Sequence, residues 1–123
     1  MIATAHLFIG AAIGSCVENP FLALGLGITS HLVTDALPHW DLGSFDKKER
    51  KEKLKNYLII FSDVILGSIL ILFLANLAEK AIALNIILGA MGAILIDIID
   101  NSPFWSYKLR QLPFFKQIHA CHS

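Results

Sequence analysis

Lysine and arginine are missing from most of this chain. Nine of its ten basic residues lie in two short blocks, Lys47 to Lys55 and Lys108 to Lys116, and Lys80 is the tenth. Acidic residues balance them, so the formal net charge is zero over 123 residues. Without a basic surplus there is no general electrostatic basis for binding nucleic acid or an acidic partner. Cysteine is scarce too. Cys16 and Cys121 are the only two, and the topology derived below puts them on opposite sides, which argues against an intramolecular disulfide. "IGSC" around Cys16 has no Lys or Arg ahead of its apolar run, so it lacks the flank of a lipoprotein signal. No repeat, low-complexity tract or soluble second domain is visible, and the length allows one domain.

What the chain has in quantity is apolar residues: 55% hydrophobic against 16% charged. The charges are sorted into blocks, which points to a membrane protein rather than a soluble domain with a large core. Four apolar stretches stand out, at roughly 2–17, 20–37, 57–77 and 81–99. The last two match the ~20 residues that cross a hydrocarbon core. The first two are shorter, joined by the tight turn "CVENP", with Pro20 starting the second helix. They are read as a spanning pair, with a re-entrant hairpin as the alternative. The expected fold is therefore all-α, an integral membrane four-helix bundle in a single domain, followed by an interfacial tail over 103–123.

If all four stretches span, "CVENP" and "NLAEKA" share one face. The N-terminus, the basic loop 42–56 and the tail share the other, with nine of the ten basic residues. Positive charge beside short apolar segments stays cytoplasmic, so both termini are expected inside. The run "DKKERKEKLK" reads as a solvated helical extension, with contact to anionic lipid as a second use.

Residues three or four apart share a helix face. Spacing four links Ala23, Gly27, His31 and Asp35 in the second stretch, and His6, Gly10 and Gly14 in the first. It links Asp63 and Gly67 in the third, and Gly89, Ala93 and Asp97 in the fourth. Small residues let membrane helices approach closely, so these rows predict the helix contacts, with the ionisable groups pointing inward. Ile71, off the rows, is expected to tolerate a change of bulk. Each helix then delivers a His or Asp to one layer near the cytoplasmic side. Several carboxylates so gathered repel unless cations neutralise them, and no Lys or Arg lies inside the four stretches. A divalent metal answers this economically. Imidazole and carboxylate ligands suit zinc, with manganese or iron as alternatives.

His31 and Asp35 can ligate from one face. Beyond the break at Pro38, His39 and Asp41 can fold back over the site. Plainer roles compete at every position. His6 can be an interface residue, His31 and Asp35 a structural hydrogen bond, His39 and Asp41 ordinary loop residues, Asp63 a partner for a polar group, and Asp97 a packing acid. Asp100 is better read as a cap for the segment at Pro103. In the tail, Trp105 and Tyr107 alternate with basic residues as in an interfacial segment. Its terminal His119, Cys121 and His122 are further ligand candidates.

"TAHLFIGAAIGS", then "SHLVTDALPHWD", then a membrane helix with an early Asp together resemble small prokaryotic membrane proteins grouped as metal-dependent hydrolases. Those are distantly similar to the zinc-dependent phospholipase C superfamily, where His-x-x-x-Asp on a helix supplies zinc ligands. The resemblance runs over most of residues 3–100, and "HLVTDALPHWD" is its specific part. It implies His6, His31, Asp35, His39 and Asp97 as metal ligands, a phosphoester or phospholipid substrate, and a home in the prokaryotic cytoplasmic membrane. This chain lacks the His-Arg-x-x-Thr-His-Ser block of the better-known membrane hydrolases.

The leading functional expectation is a metal-dependent hydrolase at the cytoplasmic leaflet, with Asp63 or Asp41 as general base. A metal or proton transporter is the second, because converging membrane acids also mark ion paths; the outer helix halves offer only Ser15, Asn76 and Asn85 for one. A structural protein with a bundle-locking metal site is the third. The glycine rows leave a homodimer open.

Overall fold

The computed structural model describes residues 3–36, 50–101 and 111–113. Within them it has four helices and no strand: α1 (Ala3–Ser15), α2 (Pro20–Asp35), α3 (Arg50–Leu77) and α4 (Lys80–Asn101). The α1–α2 turn falls where expected. Pro20 opens α2 after Asn19, whose side chain accepts from the N–H groups of Phe21 and Leu22. That cap satisfies two of the donors a helix start leaves bare. Asn85, buried in α4, donates to the Val17 carbonyl at 2.6 Å and pins the turn to the bundle.

α4 is the central helix, with α1 and α2 packed along it and α3 laid against α1 and α4. The small-residue rows make these contacts. A Cβ at Gly10 or at Gly27 would overlap the Gly89 carbonyl, one at Gly14 the Asn85 carbonyl, and one at Gly92 the Leu24 carbonyl. The helices thus touch backbone to backbone, as small residues permit. Leu7, Ala11, Ile71, Ala75, Ile86, Ala90 and Ile94 fill the core between α1, α3 and α4.

One expectation needs correction. Ile71 is 3% exposed and belongs to the core, because the α3 row continues at spacing four through Asp63, Gly67, Ile71 and Ala75. α3 begins at Arg50, ahead of the apolar stretch at 57, in keeping with the basic run read as a helical extension.

α3 and α4 are each long and apolar enough to cross a membrane, over Leu54–Leu77 and Lys80–Ile99. At ~1.5 Å per residue α1 is about 20 Å long and α2 about 24 Å, short of the ~30 Å hydrocarbon core. The N-terminus of α1 and the C-termini of α2 and α4 lie at one end of the bundle, and the turns after Ser15 and Leu77 at the other.

Candidate metal centre

The row in α2 carries its ionisable residues to the helix's last turn. His31 and Asp35, four apart, face α1 and α4 there. From α1 comes His6, one turn before Gly10, and from α4 comes Asp97, one turn beyond Ala93. Their heights match because Gly10 and Gly27 both rest on Gly89, which sets α1 and α2 level against α4.

The four side chains meet. His6 Nε2 is 3.1 Å from Asp35 Oδ1, and His31 Nε2 is 3.2 Å from Asp35 Oδ2. Asp97 Oδ1 is 3.9 Å from His31 Nε2. The two imidazole rings lie 4.4 Å apart, tilted by 45°. One ligand atom each from His6, His31 and Asp97 falls within a 4.8 Å group able to hold a metal ion. The side chains of His6, His31 and Asp35 are no more than 3% exposed and that of Asp97 is 25% exposed. Asp97 is thus the one partly exposed member of the cluster.

The donor set fits a divalent ion. Ligand atoms around a tetrahedral zinc at ~2.0–2.1 Å stand about 3.3–3.4 Å apart. His6, His31 and Asp97 make up the metal-sized group, while the 3.1 and 3.2 Å separations run from the two different oxygens of Asp35, whose carboxylate bridges the two rings beside it. Charge fits as well. Two carboxylates balance one divalent cation and leave both imidazoles neutral. Protonating both imidazoles would also balance the carboxylates, but it sets two like charges with ring centres 4.4 Å apart in a buried site.

Asp63, expected in the same layer, bonds instead to Thr4. Its Oδ2 accepts from the Thr4 N–H at 3.0 Å and its Oδ1 from the Thr4 hydroxyl at 2.7 Å. Thr4 is the second residue of α1, so that N–H is one of the four a helix start leaves without a partner. A carboxylate there also complements the helix dipole. Three helices, not four, bring a His or Asp to the cluster; α3 holds the start of α1 in place.

No family model, curated protein or solved structure matches this chain. The chemistry of the cluster therefore rests on its own geometry. His39, Asp41, His119, Cys121 and His122 lie outside the described residues, as does the tail apart from 111–113, and the Asp100 side chain is likewise outside them.

Thr34 was not among the expected site residues. Its hydroxyl is 3.1 Å from His6 Nδ1 and 2.9 and 3.0 Å from the carbonyls of Ser30 and His31. A hydroxyl beside Asp35 in a last helical turn is the signal the sequence offers, but the partner on α1 appears only when the helices pack.

Proposed function

We propose that the protein is a membrane-embedded metal-dependent hydrolase, with His6, His31, Asp35 and Asp97 holding one divalent ion, zinc by preference. The observation that carries this reading is the meeting of two imidazoles and two carboxylates at one end of four apolar helices.

Membrane embedding is supported by what α3 leaves uncovered. Only 17% of the apolar 18-residue window within Leu54–Leu77 is buried, and Leu58, Phe61, Leu66, Ile69 and Phe73 are exposed. A water-soluble chain rarely shows so continuous an apolar surface. Hydroxyls on outward faces close on their own helix: Thr29 donates to the Gly25 carbonyl and Ser62 to the Leu58 carbonyl. Polar groups facing lipid need such internal partners. Every basic residue except Lys80 lies in sequence beyond the cluster end of the helices, so that end faces the cytoplasm of a prokaryotic cell.

A divalent ion in the cluster would supply Lewis-acid polarisation of a phosphoryl oxygen and activation of water. The protein residues do the rest. His6 and His31 present nitrogen donors fixed by burial, Asp35 joins the two rings, and Asp97 lines the open side, where an ester headgroup would approach. The crossings at Gly10, Gly27 and Gly89 have no room for a methyl group. They close the bundle directly behind the cluster, so the site is a cup. That closure disfavours a conduit for ions. It leaves the bundle-locking reading as the competitor, favoured by the way Asp35 joins the rings of two helices.

The test is turnover by detergent-purified protein of a panel of phospholipids, lipid phosphates and a soluble phosphodiester. The expected result is hydrolysis of at least one, abolished by a chelator and restored by zinc. Bound zinc with no hydrolysis across the panel would favour the structural reading, and metal flux in reconstituted vesicles would favour transport.

A further inference from the structure

Thr34 has one hydroxyl proton and three neighbours for it. The carbonyl oxygens of Ser30 and His31, at 2.9 and 3.0 Å, can only accept. His6 Nδ1, at 3.1 Å, can donate or accept according to its tautomer. Helical threonines commonly return their proton to a carbonyl three or four residues back, as Thr29 does to Gly25. With that proton committed, the hydroxyl oxygen meets His6 Nδ1 with a lone pair, and the contact is favourable only when Nδ1 carries hydrogen. A neutral His6 then has no proton on Nε2. That bare nitrogen faces Asp35 Oδ1 at 3.1 Å, with both side chains buried. Two lone pairs at that distance repel unless a metal ion or a second ring proton lies between them.

We infer that Thr34 is a positioning residue that locks His6 in the Nδ1–H tautomer and so presents Nε2 as a donor to a cation in the cluster. The inference rests on the metal reading above for its consequence, but not for the tautomer itself, which is argued from the two carbonyls that compete with Nδ1 for the Thr34 proton. Thr34 does this from the helix that carries His31 and Asp35. The same last turn of α2 therefore supplies two ligands and orients a third from α1. An ion-binding histidine whose other ring nitrogen is held this way gains both orientation and basicity.

The experiment combines zinc affinity with the histidine tautomer in the full-length protein in detergent. Zinc is titrated against a chromophoric chelator for the parent, Thr34→Val and Thr34→Ser. Nitrogen–proton correlation spectra of selectively labelled histidine, with His6→Gln to assign the signal, report the tautomer without metal. The expected results are Nδ1–H on His6 in the parent, about 10- to 100-fold weaker zinc binding in Thr34→Val, and near-parent affinity in Thr34→Ser. Parent-like affinity in a folded Thr34→Val, or His6 carrying its proton on Nε2 in the parent, overturns the inference. Should the parent bind no zinc, the metal reading fails separately and the parent's tautomer alone decides the role of Thr34. It also decides if Thr34→Val does not fold.

Discussion

Asp63 and Asp35 are both acids on inward faces, and their partners separate their tasks. Asp35 lies against two imidazole nitrogens at 3.1 and 3.2 Å; Asp63 accepts from the backbone N–H and the hydroxyl of Thr4. Spacing in the sequence placed both on the rows of small residues. It did not separate them, because the partner of Asp63 is 59 residues away and is a helix start rather than a ligand. The bonding predicts a specific mutational pattern. Asp63→Asn keeps an oxygen for the Thr4 N–H and an amide that can donate to the Thr4 oxygen, whose proton can turn to the Asp63 carbonyl, 3.0 Å away. It should keep zinc binding and most of any turnover. Asp63→Ala leaves the α1 start unpartnered and should cost about 1–3 kcal/mol of stability. Thermal unfolding in detergent checks both. Loss of all turnover in a stable, zinc-loaded Asp63→Asn would instead make Asp63 the general base.

At the scale of the helices, the rows at spacing four were legible because close approach demands small residues whatever the solvent. Gly10, Gly14, Gly27, Gly89 and Ala93 are buried as their spacing required. Periodicity of hydrophobicity could not help on α3, where the inward and outward faces are both apolar; spacing four from Asp63 and Gly67 does reach Ile71, but a large residue on a row otherwise marked by small ones did not read as a contact. The start of α3 was legible in part: the basic run reads as a helical extension of the apolar stretch, and α3 begins within it, at Arg50. Glycine substitutions test the contact surfaces. A Cβ at Gly89 meets the Gly10 carbonyl and the Gly14 backbone, whereas one at Gly25 meets nothing within 4 Å. Gly89→Ala should destabilise the bundle by about 1–3 kcal/mol. Gly25→Ala should be neutral or stabilising by up to about 1 kcal/mol. Equal tolerance in a thermal-shift or detergent-resistance assay would mean that α1 does not meet α4 at Gly89.

For the whole molecule, the arrangement is a one-ended device. The cluster sits where the α1 start meets the ends of α2 and α4. The glycine crossings lie directly behind it, and α3 leaves most of its apolar surface uncovered by the other described helices. α1 and α2 share the cluster end with α4 whether their turn reaches the far surface or stops short of it. The topology is accessible to side-specific labelling in a background with Cys16→Ser and Cys121→Ser. Lys55→Cys, on the exposed basic extension of α3, should react only from the cytoplasmic side. Glu79→Cys, in the exposed turn between α3 and α4, should react only from outside. Reversed labelling would put the cluster at the outer face and remove the basis for a cytoplasmic substrate.

The account stands on one ion held by four side chains from three helices, and metal content tests it most directly. Protein purified in detergent, stripped with a chelator, reloaded with zinc and passed through a desalting column is analysed for metal per chain, alongside His31→Ala and Asp35→Ala. The account predicts about one zinc per chain in the parent and a strong loss in each variant. Zinc should also raise the thermal midpoint of the parent alone, because an ion bound only by the native state stabilises it by mass action. Equal zinc in the parent and in both folded variants, or none in any of them, would contradict it.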